Sequence, residues 1–200
     1  MCFYAFPALL AWLRASGTSF PVLGTLAVVA LVAYLVLRRS EDFERARLTR
    51  WRFEPRQLGR IAVHFALGSA LLAGYVLACE PERWLEFPRR ATGTWALVMV
   101  FYPLVSVYPQ ELLYRALFLH RYAVLFGRGR GAALASALAF GWVHVIFLSG
   151  FAVALSAVGG YLFARTYQRS ASIPCASLEH ALYGCLIFTI GLGRHFYAAS

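Results

Sequence analysis

The most conspicuous absence in the sequence is lysine, because all nineteen basic side chains are arginines. Charged residues of both signs make up only 14% of the chain, whereas hydrophobic residues make up 60%. Soluble domains carry about 25% charged residues. The composition therefore excludes an ordinary soluble domain and predicts an integral membrane protein whose main solvent is the lipid bilayer. Arginine without lysine is typical of a GC-rich genome, so we expect a bacterial protein of the inner (cytoplasmic) membrane.

Metal-binding and disulfide patterns are also lacking. The four cysteines form no CxxC pair, and the histidines do not have the close spacing of a zinc motif such as HExxH. We therefore expect neither a metal nor another cofactor. The sequence has no internal repeats, low-complexity runs or linkers, which predicts a single integral membrane domain over residues 1–200.

Uncharged apolar runs predict an all-α, polytopic membrane bundle of six or seven transmembrane helices. The segment 110–126 decides between the two numbers, because it is helical by pattern but contains Arg115, His120 and Arg121. If this segment crosses the bilayer there are seven spans, and if it lies within the bundle or along the interface there are six. Pro109 is expected to interrupt the helix just before it. The other predicted spans are 20–37, 61–78, 94–108, 131–150, 151–164 and 178–193.

The net charge of +10 indicates membrane topology rather than affinity for nucleic acid. The segment 38–60 carries eight arginines against four acidic residues, whereas three arginines and three glutamates balance each other in 79–93. By the positive-inside rule the first loop is cytoplasmic and the second is external. Interleaved acids and a position between two spans make the first loop a solvated connector, so we expect no nucleic-acid partner.

Four ionisable residues lie in or beside these apolar segments: Glu111, Arg115, His144 and His180. Such residues normally face the interior of a bundle and mark a functional path or site. Glu111 and Arg115 are four residues apart and share one helix face, and a hairpin closed at 127–131 would bring Glu111 and His144 to similar depth. The alternative is purely structural, with a buried ion pair that locks the packing and histidines that hydrogen-bond between helices.

Three motifs occur in order on separate apolar segments: "QELLYR" at 110–115, "FGWVH" at 140–144 and "HALYG" at 180–184. This set resembles the CPBP family, the CaaX-protease and bacteriocin-processing group of intramembrane proteases. The pattern of that family is Glu-Glu-x-x-x-Arg, then Phe-x-x-x-His, then His-x-x-x-Asn. The resemblance covers about residues 105–190 and implies a protease-like core at about 94–193.

The resemblance implies a glutamic-type protease in which the first motif supplies the general base and Arg115 holds its charge in place. His144 would help to activate water, and His180 with the residue at position 184 would bind the oxyanion. Zinc held by Glu111, His144 and His180 on separate helices is the minority alternative.

Two positions depart from the family pattern. Gln110 stands where the family has its first Glu, and Gly184 stands where it has Asn. Glutamine cannot accept a proton, so we expect Glu111 to act as a substitute base. Glycine offers no side-chain amide to an oxyanion, although its small size would admit a water, a backbone donor or the neighbouring hydroxyl of Tyr183.

The predicted function is that of an intramembrane endopeptidase that uses water activated by Glu and His. It would hydrolyse a peptide bond near the membrane-embedded or C-terminal segment of a membrane protein or peptide substrate. The loss of two family side chains, at Gln110 and Gly184, leaves a non-catalytic membrane binding or immunity protein as the alternative. A small proton-coupled transporter is a third hypothesis, but the chain lacks the inverted repeat of many transporters.

Overall fold

The computed structural model describes residues 2–18, 20–51 and 53–197. These residues form helices joined by short loops and contain no strand. The α-helices are α1 (Cys2–Ala15), α2 (Val22–Arg39), α3 (Ala46–Thr49), α4 (Pro55–Cys79), α5 (Glu86–Arg90), α6 (Thr92–Tyr102), α7 (Tyr108–Glu111), α8 (Phe118–Arg121), α9 (Ala123–Phe126), α10 (Arg130–Val143), α11 (Gly150–Ser170) and α12 (Ile173–Ile190). Two π-helical stretches (Pro103–Val107 and Leu112–Leu117) join α6 to α8, and 3-10 turns are formed by Pro81–Arg83, His144–Phe147 and Leu192–Phe196.

Five helices of the described residues are long and apolar enough, by length and composition, to cross a membrane. A sixth long helix is α11, with 21 residues. The predicted all-α membrane bundle is therefore confirmed. The five apolar helices are Val22–Arg39, Pro55–Cys79, Thr92–Arg121, Arg130–Phe147 and Ile173–Ile190.

The segment 110–126 is not a separate element, because most of it continues the preceding span. Residues Thr92–Arg121 form one helix of 30 residues, which we call the motif helix. The expected break at Pro109 is wrong: the helix passes through Pro103 and Pro109 by widening into π turns instead of stopping. Because segment 110–126 adds no separate span, the structure corresponds to the predicted alternative with six transmembrane helices.

The first helix, α1, was not among the predicted spans. Its 14 residues include Pro7 and end near Arg14, so it is too short and too interrupted to be recognised as a span. It is held by aromatic packing, since Phe3 makes edge-to-face contacts with Tyr114 and Phe118 of the motif helix. The Trp142 indole also donates a hydrogen bond to a backbone carbonyl of α1, at 2.9 Å.

The arginine-rich loops meet at one end of the bundle. Ser40, after α2, is hydrogen-bonded to His120 at the end of the motif helix (2.9 Å). Arg50 donates to the Ala171 carbonyl between α11 and α12, at 3.3 Å, and Gln168 donates to the carbonyl of the residue before α10. This end is the one that the positive-inside rule assigns to the cytoplasm.

The buried core surrounds the C-terminal half of the motif helix, where α2, α10, α11 and α12 meet. Small residues allow α10 and α11 to pack closely: a Cβ added at Gly141 would overlap Ala157, and one added at Gly160 would overlap Phe140. This close approach fixes the position of Phe140, which forms part of the site described below. In contrast, α6 has no fully buried residue among those described, and it contacts α12 through Trp95 and Met99, which lie against Thr189.

Candidate active site

The first motif begins on a short α-helical turn between two π-helical stretches and continues into the second of them. Tyr108–Glu111 is preceded by Pro103–Val107 and followed by Leu112–Leu117. A proline within a helix lacks an N–H and its ring crowds the carbonyl four residues earlier, so the regular α-helical hydrogen bonds cannot continue unchanged through Pro103 and Pro109. The π turns also change the rotation of the helix, which determines where Gln110 and Glu111 point.

Glu111 and Arg115 form an ion pair that is completely buried. Arg115 Nε lies 3.1 Å from Glu111 Oε2, and both side chains have 0% exposure. The guanidinium group donates from Nη1 to the Ser136 hydroxyl at 3.3 Å, and that hydroxyl donates to the Tyr114 carbonyl at 2.6 Å. The same guanidinium lies over the Phe140 ring, 4.6 Å from its centroid. The charge of Arg115 is thus balanced by one carboxylate and by an aromatic face.

The second oxygen of Glu111 binds His180. The His180 Nδ1 atom lies 2.9 Å from Glu111 Oε1. A carboxylate can only accept a hydrogen bond, so Nδ1 carries the hydrogen and Nε2 keeps its lone pair in the neutral ring. The ring is also stacked on Phe163, with centroids 4.6 Å apart and planes 13° apart. His180 is therefore fixed in one tautomer and one orientation.

His144 is held in the same way by a backbone group. Its Nδ1 lies 2.8 Å from the Phe140 carbonyl, which can only accept, so Nε2 again keeps the lone pair. The rings of His144 and His180 both pack edge-to-face on the Phe140 ring, at 4.9 and 5.3 Å. Phe140 thus forms a shared wall between the two histidines.

A cavity of about 1540 Å³ opens in front of the histidines. Most of its wall is apolar, and residues of the three motifs supply part of its polar surface. Gln110 is half-buried there and donates from Nε2 to the Ser106 hydroxyl at 2.7 Å. The motif residues at the wall are Gln110, Leu113, Tyr114, Phe140, Val143, His144, His180, Tyr183 and Gly184.

The structure brings the predicted site residues together, but it does not place all of them at the cavity. Glu111 and Arg115 lie behind the wall, at 0% exposure, and Glu111 reaches the cavity only through His180. The expectation that Glu111 itself would face the cavity as a substitute base therefore does not match the geometry. The residues of the first motif that do line the cavity are Gln110, Leu113 and Tyr114.

The space beside Gly184 is filled by Tyr102, a residue that the sequence analysis missed. A Cβ added at Gly184 would overlap the ring of Tyr102, whose hydroxyl lies 3.4 Å from His180 Nε2. Tyr102 thus fills the space of the missing Asn side chain with a phenol group. Tyr183, the hydroxyl considered from sequence, donates instead to the His64 carbonyl at 2.6 Å. No sequence signal links Tyr102 to Gly184, because 82 positions separate them.

The histidine and glutamate side chains of the site do not form a metal centre of the usual kind. Across the residues that the structure describes, no group of three or more His, Cys, Asp or Glu side chains is arranged to hold a metal ion. Each carboxylate oxygen of Glu111 faces a protein group that carries hydrogen, with Oε2 3.1 Å from Arg115 and Oε1 2.9 Å from His180.

Comparison with known proteins gives one match. The family described as Type II CAAX prenyl endopeptidase Rce1-like matches residues 92–186. The matched segment runs from the first residue of the motif helix into α12 and includes all three motifs. The match confirms the predicted resemblance to the CPBP family. No curated protein and no solved structure matches the chain.

We expect Glu111 and Arg115 to contribute to the free energy of unfolding as a strongly coupled pair. Either Glu111→Gln or Arg115→Met alone leaves a buried charge without its partner, and each should lower the free energy of unfolding by about 3–5 kcal/mol. The double variant removes both charges and should recover much of that loss. Thermal and denaturant unfolding in detergent would measure the coupling as a double-mutant cycle.

The matched control for this cycle is the pair formed by Glu86, which is half-buried and also contacts Arg83, and Arg90, which is exposed. It has the same spacing of four residues and an N–O distance of 2.9 Å. The corresponding substitutions, Glu86→Gln and Arg90→Met, should change stability by no more than about 1 kcal/mol. Additive effects of Glu111→Gln and Arg115→Met would contradict the buried pairing.

Proposed function

We propose that the chain is an intramembrane endopeptidase, in line with the match of residues 92–186 to the family described as Type II CAAX prenyl endopeptidase Rce1-like. The observation that carries the proposal is the pair formed by Glu111 and His180, at 2.9 Å, with the ring of His180 at the wall of a large apolar cavity. A histidine oriented by a carboxylate is the arrangement that general bases use in many hydrolases.

In the proposed reaction, His180 activates water. Nε2 accepts a proton from a water molecule while the water oxygen attacks the carbonyl carbon of the scissile peptide bond. Glu111 faces Nδ1–H and balances the positive charge that the imidazole gains. The proton then passes from Nε2 to the amide nitrogen of the leaving group as the C–N bond breaks. This role for His180 differs from the oxyanion role that the family resemblance implied.

The other polar groups at the wall would position water and stabilise charge. The Tyr102 hydroxyl, 3.4 Å from His180 Nε2, is the donor best placed for the oxyanion. His144 Nε2, with its lone pair free, and the amide of Gln110 would hold the attacking water. The mechanism uses protein side chains and water, without a cofactor.

The apolar wall of the cavity fits a substrate segment that is itself embedded in lipid. Aromatic and aliphatic side chains of α1, α2, α4 and α6 surround the cavity. The substrate would be a membrane protein or peptide, cleaved near its embedded or C-terminal segment, in the bacterial inner membrane. The matched family is described as Type II CAAX prenyl endopeptidase Rce1-like. A substrate with a lipid-modified C-terminal segment is therefore one candidate.

We expect purified protein in lipid vesicles to cleave an internally quenched peptide. Two probes separate the substrate classes: a farnesylated peptide that ends in a CaaX sequence, and an unmodified single-span peptide. His180→Gln should lower the cleavage rate by about 10²–10⁴-fold, because it removes the proton acceptor.

His120→Gln is the matched control, since His120 lies at the end of the motif helix against Ser40 and Phe43. It should keep the wild-type rate. A wild-type rate in His180→Gln would rule out His180 as the base.

A non-catalytic binding or immunity protein is the second candidate, and one observation favours it. At the position where the family has its first Glu, the side chain at the cavity is the amide of Gln110, and the carboxylate of that motif, Glu111, lies behind the wall. Such a protein would hold a membrane segment in the cavity without cleaving it.

Gln110→Glu separates the two candidates. It places a carboxylate at the cavity where the family has one, so we expect cleavage to rise by about tenfold or more in a catalytic protein. Gln168→Glu, the same substitution on the exposed end of α11, should leave the rate unchanged. If neither wild type nor Gln110→Glu cleaves a peptide that it demonstrably binds, the binding function replaces the enzymatic one.

A further inference from the structure

A second buried carboxylate, Glu179, lies next to His180 in sequence but faces a different set of helices. Its side chain has 0% exposure. It approaches His64 on α4 and Thr166 on α11, whereas His180 faces Glu111 and the cavity. The mechanism proposed above does not use it, and the sequence motifs did not single it out.

Among the residues that the structure describes, Glu179 has no cation within hydrogen-bond distance to balance a negative charge. The nearest basic group is His64 Nδ1, 3.6 Å from Oε1, which is too long for a hydrogen bond. The Thr166 hydroxyl lies close by and accepts a hydrogen bond from Gln57 at 3.2 Å, so its own hydrogen can face the carboxylate. A neutral hydroxyl does not cancel a full negative charge.

The cations near Glu179 are also committed elsewhere. Arg115 is paired with Glu111 at 3.1 Å, and Arg169 is exposed at the arginine-rich end. This part of the described structure therefore holds two buried carboxylates and one buried guanidinium, and that guanidinium is paired with Glu111. The charged or titratable groups within electrostatic range of Glu179 are His64 on α4, Arg169 on α11, Glu111 and Arg115 on the motif helix, and Cys175 and Tyr183 on α12.

An ionised carboxylate in this environment would be a buried charge without compensation, which is strongly unfavourable. A bound proton removes that charge. We propose that Glu179 and His64 form a proton-binding site, separate from the catalytic cavity, that holds one proton at neutral pH.

The proton has two positions in this site. With the proton on Glu179, both groups are neutral. When the O–H bond breaks and an N–H bond forms at His64 Nδ1, the pair becomes a carboxylate and an imidazolium with the same total charge. The His64 side chain is 37% exposed, so it connects the buried carboxylate with the surface of the bundle.

The position of this site gives it an effect on the catalytic residues. Glu179 and His180 are adjacent on α12, and Glu179 lies close enough to interact with the charge of Arg115. Loss of the proton from the pair would place a second negative charge beside Arg115 and weaken its hold on Glu111. The proposal itself does not depend on protease activity, because proton binding can be measured directly.

Infrared spectroscopy of the protein in lipid vesicles tests the proposal. A protonated carboxyl group absorbs through its C=O stretch, separately from ionised carboxylates. At neutral pH the wild type should show this band for a carboxyl group shielded from water, and Glu179→Gln should lose it. Glu86→Gln, the same substitution at a half-buried carboxylate outside the site, should keep it. A wild type with neither this band nor a protonated His64 ring by ¹⁵N nuclear magnetic resonance, or a band that persists in Glu179→Gln, would overturn the proposal.

A second variant keeps the test decisive if Glu179→Gln does not fold. His64 is partly exposed, so His64→Gln should be tolerated by the bundle. It removes the imidazole that faces Glu179, and the carboxyl band should therefore shift in frequency. An unchanged band in His64→Gln would show that the two groups do not form one site.

Discussion

The contact on which the site depends is the bridge made by one carboxylate, Glu111, between Arg115 and His180. One oxygen lies 3.1 Å from the guanidinium and the other lies 2.9 Å from the imidazole. All three groups are buried in a part of the bundle where an unpaired charge would be strongly unfavourable. The bridge therefore links stability to function, because the ion pair that holds the motif helix in place also fixes the histidine that faces the cavity.

Aromatic residues complete this arrangement. Phe140 lies under the Arg115 guanidinium and between the rings of His144 and His180, and Phe163 stacks on His180. The wall is positioned by the small residues of α10 and α11, which allow the two helices to approach closely. On the cavity side, the ring of Tyr102 fills the space that Gly184 leaves open. The departure from the family pattern at Gly184 is thus filled by a neighbour from another helix, whereas Gln110 is held by Ser106 of its own helix.

The sequence predicted which polar residues meet, because that depends on local features. Helix periodicity, the length of each span and the position of the loops place Glu111, Arg115, His144 and His180 at comparable depth. The sequence did not predict which side chain of the first motif faces the cavity. A π turn accommodates one extra residue, and that residue rotates the helix by about 100° relative to a regular one. Tyr102 was missed because its contact with Gly184 joins distant parts of the chain.

The most direct test of this account is the protonation of the His180 ring, measured by ¹⁵N nuclear magnetic resonance of histidine-labelled protein in lipid bilayers. If Glu111 is an ionised carboxylate that accepts from His180, the resting ring carries its hydrogen on Nδ1 and a lone pair on Nε2. A hydrogen on Nε2 with a free Nδ1 would contradict the account, because the Glu111 bridge would then be made by a protonated carboxyl group and His180 would have no lone pair to offer a water molecule.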